Sequence, residues 1–227
     1  FEATNERRFL DQAEHIIRRV VHPDQDIAAL DLGDSENKWF YLMFLQALGR
    51  YLEIKISLDE IDDMYSYAKL TLLRYADWMA AHEYPFLDKP EKLEFPTETW
   101  AAQDMRKVEV FQWAARHASE QQKQTFLEKA SFFFKESVRQ LNEFETKGLC
   151  RPIALLLSNG YSHDFFSSGQ LEKMTPSPPA SVTTFARQRK FTSQKTRAIR
   201  NVKFGISAFM ILIIGILIIS GIYIAGN

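Results

Sequence analysis

Cysteine is almost missing from this chain: among 227 residues there is only Cys150. That excludes an internal disulfide framework and a multi-thiolate metal site within one chain, and it fits a reducing compartment. No segment alternates apolar and polar residues over more than a few positions, so a substantial sheet is not expected. HExxH, the P-loop, GxSxG and GxGxxG do not occur. The histidines have no metal-ligand spacing, so neither a metal nor another cofactor is expected. Phe1–Arg19 is not expected to be a secretory signal, because it is charged and lacks a continuous apolar core. The chain opens on Phe1 rather than Met, which reads as a processed chain or a piece of a longer protein.

Acidic residues stop at Glu172. Beyond it come seven bases between Arg187 and Lys203: Arg187, Arg189, Lys190, Lys195, Arg197, Arg200 and Lys203. Taking these seven from the 28 Lys and Arg leaves 21 against 29 Asp and Glu, a net of −8 for the rest. A body this acidic argues against a nucleic-acid partner.

Directly after the bases, Phe204–Ala225 runs 22 residues without a charge. As a helix it would extend roughly 33 Å, against about 30 Å for a bilayer core. We therefore expect a single transmembrane helix at 204–225. Seven positive charges on its N-terminal side place residues 1–203 in the cytoplasm by the positive-inside rule. This predicts a tail-anchored, single-pass protein of the bacterial inner membrane, with the lipid bilayer as a partner. The Thr175–Thr184 stretch, TPSPPASVTT, has no apolar stripe and reads as an extended tether. The expected organisation is a helical domain at 1–172, a Pro-containing then basic linker at 173–203, and the anchor.

In the body, apolar residues recur at intervals of three and four, which predicts an all-α domain of helical hairpins. Expected faces are Phe9, Ala13, Ile16, Ile17 and Val20; Phe40, Phe44, Ala47, Leu48 and Tyr51; Tyr65, Ala68, Leu72, Ala76 and Met79; Val108, Phe111, Ala115 and Ala118; and a long run from Phe126 to Phe144. Ser57 and Glu60 have the spacing of a capping box. The connections 22–35 and 83–99 are long and rich in Pro, Asp and Glu, and we expect them on one face.

The densest polar and aromatic cluster is LEFPTETWAAQDMRK, Leu93–Lys107. Carboxylates beside an aromatic platform are what sugar chemistry uses: one acid protonates the leaving oxygen, the other activates water or attacks. Glu94, Glu98 and Asp104 are the candidate catalytic carboxylates. Trp100, Arg106, His82 and Arg151 are the candidate substrate contacts, the arginines suited to an acidic sugar through a bidentate contact. The competing reading is structural: Glu98 caps a helix, Asp104 pairs with Arg106 or Lys107, and Trp100 is core.

YAKLTLLRYADWM, PFLDKPEKLEFPTETWAAQDMRK and FLEKASFFF together resemble bacterial α/α-toroid proteins of the six-hairpin glycosidase type. The resemblance spans roughly Trp39–Tyr161 and lies in helix rhythm and the Trp- and carboxylate-rich loop. It implies the C-terminal part of a toroid, since six hairpins need about twice this length. It also implies a sugar-binding funnel where the long loops meet. On the cytoplasmic face such a protein would act on carbohydrate or in polysaccharide synthesis. The alternative is a non-catalytic helical scaffold or adaptor tethered to the membrane and engaging a membrane-protein partner.

Overall fold

The computed structural model describes residues 1–146, 149–167, 185–188 and 192–225, with the side chains of 212–214 and 216–225 left out. Every regular element among these residues is helical. The chain divides into two compact units, Phe1–Gln188 and Arg189–Asn227.

In the first unit, α1 (Arg7–Val20) leads to the single turn α2 (Ser35–Lys38) and then to α3 (Tyr41–Ser57), α4 (Asp63–His82), α5 (Glu98–His117) and α6 (Glu120–Glu143). α7 (Cys150–Leu155) passes through a π-turn, Leu156–Gly160, into α8 (Tyr161–Ser167). α5 is the centre, in contact with α3, α4, α6, α7 and α8. Only Ala118 and Ser119 separate it from α6, so the two form an antiparallel hairpin packed along its length, with Phe111 stacked on Phe133 at 5.8 Å.

The α4 face is the expected one: Tyr65, Ala68, Leu72, Ala76 and Met79 are all buried. On α1 and α3 the buried face is rotated. α1 buries Leu10 and Ile17, whereas Phe9, Ile16 and Val20 are exposed. Phe9 lies against the Arg8 guanidinium at 4.8 Å. α3 buries Leu42, Leu45, Leu48, Tyr51 and Leu52, with Phe40 outside. Both helices carry a wide apolar arc, so the partner selects which part of it enters the core.

The capping box at Ser57 is also not formed. Ser57 ends α3 and donates to the Ile54 carbonyl at 2.8 Å, and α4 is capped by Asp62, which accepts from the Tyr65 amide at 2.9 Å. Glu60 is diverted to the buried Lys55 ammonium at 2.8 Å. Lys55 has no exposed side-chain surface and also meets Glu14 at 3.2 Å and Asp62 at 2.6 Å, joining α1, α3 and the start of α4. The long connections do meet: Lys92 donates to the Gly33 carbonyl at 3.3 Å, and Glu36 accepts from the Glu94 amide at 3.0 Å.

Phe185–Gln188, within the expected linker, belongs to the first unit. Phe185 packs edge-on against Tyr67 at 5.2 Å, and Gln188 donates to the Arg19 carbonyl at 3.3 Å. Thr175–Thr184 lies outside the described residues. In the second unit α9 runs Gln194–Ala225, so the bases from Lys195 onward sit on the same helix as the apolar run. Among the described residues no helix is long and apolar enough to cross a membrane. Most of the expected anchor falls among the residues whose side chains are not described.

α3 and α5 approach at Gly49, where an added Cβ would lie 2.6 Å from Trp113 Cδ1 and 2.7 Å from its Cβ. Gly49→Ala should therefore destabilise the body by about 1–3 kcal/mol, the usual range for overpacking. Urea unfolding monitored by helical circular dichroism measures it; an unchanged midpoint would remove this contact from the account.

Candidate functional site

The N-terminal turn of α5 carries the segment singled out in the sequence. Thr97 precedes the helix and Glu98 opens it, after the turns Phe86–Asp88 and Pro90–Lys92. The three carboxylates do not share a site. Asp104 is fully buried, with Oδ1 2.9 Å from Lys107 Nζ and Oδ2 accepting from the Phe86 amide at 3.1 Å. Glu98 is buried beside α7 and accepts from the Thr146 hydroxyl. Glu94 is exposed.

Lys107 is the hub; from the sequence it is expected only as an alternative partner for Asp104. Its ammonium has no exposed surface, contacts Glu83 at 2.8 Å and donates to the Tyr84 carbonyl at 2.5 Å. It lies 3.5 Å from the centre of the Phe86 ring. Tyr41 donates to the other Glu83 oxygen at 2.7 Å. Burial pushes the Asp104 carboxyl up to about 6, against the pull of Lys107. Burial pulls Lys107 down, but Asp104 and Glu83 outweigh it and hold the ammonium above the usual lysine value. The i, i+3 spacing of Asp104 and Lys107 was the available signal for this pair. Nothing local marks Glu83 or Tyr41 as its remaining members.

The substrate-contact candidates separate as well. Trp100 donates to the Phe95 carbonyl at 3.0 Å and packs edge-on against Phe86 at 5.1 Å. His82 stacks on Trp78 at 5.0 Å. Arg106 and Arg151 do come together. They line one cleft of about 280 Å³ with Trp39, Met43, Gln103 and Ser158. The Arg106 guanidinium carbon lies 5.9 Å from the Trp39 ring centre. The aromatic wall of the cleft is thus Trp39, not Trp100.

Arg106 donates from Nε to Gln103 Oε1 at 2.7 Å and from NH1 to Gln46 Oε1 at 2.8 Å. The Gln46 amide group then faces Glu109 at 2.5 Å and Asn159 at 2.6 Å, and Trp113 donates to the second Glu109 oxygen at 3.1 Å. Gln46 thus links Arg106 to Glu109, three positions further along α5. Arg106 makes no ion pair among the described residues, whereas Arg7, Arg50, Arg116 and Arg139 each touch a carboxylate. Burial lowers the Arg106 pKa and Glu109 partly restores it. A guanidinium remains charged under such a shift.

Among the described residues no group of three or more His, Cys, Asp or Glu is placed to hold a metal ion. Comparison of the chain with protein-family models, curated proteins and solved structures finds no match. The site has to be read from its own chemistry.

That chemistry comprises a closed cluster of one ammonium and two carboxylates around Lys107 and an open cationic cleft around Arg106. Removing the ammonium with Lys107→Met strands two carboxylates and should cost about 3–5 kcal/mol at pH 8. The Asp104 carboxyl is raised on folding, from 3.8 to about 6. Its contribution to stability is therefore complete below about pH 4 and is lost as pH rises through 6. Without Lys107 it rises further, so the penalty in the variant should shrink at pH 5. Urea unfolding of both proteins at the two pH values measures this; an equal penalty at both would show that Asp104 is not the titrating partner.

Proposed function

We propose that this chain is a non-catalytic helical scaffold, tethered by α9 to the cytoplasmic face of the bacterial inner membrane, that holds an anionic partner in the Arg106–Arg151 cleft. The observation that carries this reading is the state of the carboxylates. Hydrolysis of a glycosidic bond needs two of them facing one sugar across an open space. Here Asp104 is sealed in with Lys107, Glu98 is bonded to Thr146, and Glu94 stands apart on the surface.

The tether is supported by α9. Phe204, Ile206, Phe209, Met210 and Ile211 are bare on a helix that also carries Lys195, Arg197, Arg200 and Lys203. Apolar side chains this exposed need a cover, and basic residues beside them favour an anionic membrane surface. Alkaline extraction of membranes should leave the full chain in the pellet, and protease should digest the body from the cytoplasmic side. Reversing the seven charges between Arg187 and Lys203 should weaken or invert that insertion. Release of the unaltered chain by alkali would end the tether reading.

A second reading, recognition of an acidic sugar without hydrolysis, draws on the meeting of Arg106 and Arg151 beside Trp39. Descent from an α/α toroid is proposed with it, supported by the α5–α6 hairpin and the convergence of the two long connections. The scaffold reading expects no sugar turnover. If a polysaccharide were cleaved by the full chain, and Glu98→Gln and Asp104→Asn each abolished cleavage with an unchanged unfolding midpoint, the protein would be an enzyme.

A further inference from the structure

The rims of the Arg106–Arg151 cleft are apolar and open. On the α3 side, Phe40 is 58% exposed, and Met43, one turn on, lines the cleft itself. On the α7 side the cleft-lining positions are Arg151, Ala154, Leu155 and Ser158. The π-turn and the start of α8 carry Leu157 at 74% and Tyr161 at 68% exposure. Leu149, Ile153, Leu157, Tyr161 and Phe165 recur every fourth residue, and all are exposed. An α-helix drifts off such a spacing by about 40° per step. The π-turn at Leu156–Gly160 takes up part of that drift, while Leu149 and Ile153 at the start of the run line a separate hollow with Glu98 and Leu141.

Cationic groups without an ion pair among the described residues, set near exposed aliphatic and aromatic side chains, match the composition of a lipid interface. Arginine binds phosphate through paired N–H donors. Tyrosine and phenylalanine lie at headgroup depth, and aliphatic tips reach the acyl boundary. Arg106 is pre-positioned for this: Gln103 and Gln46 hold Nε and NH1, and NH2 has no hydrogen bond among the described residues. The surrounding body is acidic, so loose adsorption of anions over its surface is disfavoured.

We propose that this cleft binds the phosphate of an anionic phospholipid headgroup, with Leu157, Tyr161, Phe40 and Met43 entering the interface around it. The inference rests on the membrane-tether reading and adds a second, headgroup-specific attachment formed by the body itself. A free acidic sugar is the competing occupant. It would use the arginines and Trp39 but leaves Leu157 and Tyr161 without a role.

The test uses the full chain in nanodiscs of phosphatidylcholine alone or mixed with phosphatidylglycerol, read by amide hydrogen exchange over Leu149–Tyr161. The basic residues before Phe204 respond to anionic lipid in any case, so the readout is kept on α7 and the π-turn. With phosphatidylglycerol, exchange there should slow at least about threefold, and Arg151→Gln should remove the difference. Arg151 is exposed, so this variant does not depend on a change in the core. Leu157→Ser should reduce the protection while leaving the arginines in place.

Equal exchange in both lipids would overturn the proposal, as would protection that persists in Arg151→Gln. Equal protection by inorganic phosphate in phosphatidylcholine discs would make the cleft a free-phosphate site, and loss of the lipid effect on adding glucuronate would make it a sugar site. Either result overturns the lipid assignment. Alkaline extraction reports on the tether alone, so its failure is distinguishable from failure of the cleft.

Discussion

A lysine ammonium with no exposed surface has to be neutralised where it lies, and the centre of this domain is arranged around that requirement. Lys107 meets Glu83 and Asp104, and donates to the Tyr84 carbonyl. Two of its partners, Glu83 and Tyr84, lie on the chain just beyond α4. Neutralising the ammonium therefore fixes the start of the long 83–97 connection against the middle of α5. Phe86 follows, with its amide on Asp104 and its ring beneath the ammonium. That ring gives Trp100 its packing surface. Lys55 does the same for the α3–α4 connection through Glu60 and Asp62. A buried ion pair adds little net stability over an apolar substitute, but losing one partner is costly. Each lysine thereby selects a single path for the chain around it.

This accounts for the composition that made Leu93–Lys107 look like a reaction centre. A helix that must bury a lysine needs carboxylates near it, and a loop held over that lysine uses aromatic rings to cover it. Carboxylates, tryptophan and basic residues then crowd one stretch of sequence for a structural reason. A catalytic pair and a structural pair have the same residue types at the same spacing. What separates them is whether water and substrate can reach the carboxylate, and Asp104 is out of reach of both.

Helix periodicity was legible wherever the apolar arc was narrow, as on α4. It was ambiguous on α1 and α3, where Phe9 and Phe40 looked like core and the opposite edge of the arc was buried. α5 is the extreme case. It buries Asp104 and Lys107 together with its apolar residues, because the 83–97 connection brings Glu83, Tyr84 and Phe86 to them. No local pattern carries that information. Gln46 and Asn159 lie 113 positions apart and Gln46 and Glu109 lie 63 apart, yet the three meet to set the orientation of Arg106. Arg106 and Arg151 were identified from charge alone. Their meeting with Trp39 depends on α2, α3, α5 and α7 converging, which only the fold supplies.

The two halves of the segment use adjacent faces of one helix. Asp104 and Lys107 point toward the 83–97 connection, and Gln103 and Arg106 toward α3 and α7, one residue and about 100° round the axis. On the first face, one ammonium is paired with two carboxylates and sealed. On the second, Gln46 takes up Glu109 and so keeps a carboxylate from closing on Arg106. An arginine meant only to stabilise the fold would gain from pairing directly with Glu109, three positions along the same helix. Here an amide from another helix is placed between them, and its own hydrogen bonds to Asn159 and Glu109 hold it in that orientation. The arrangement gives up an internal ion pair and leaves a positive charge facing an open cleft. That concession makes the cleft, and not the carboxylates, the part of the domain suited to an external ligand.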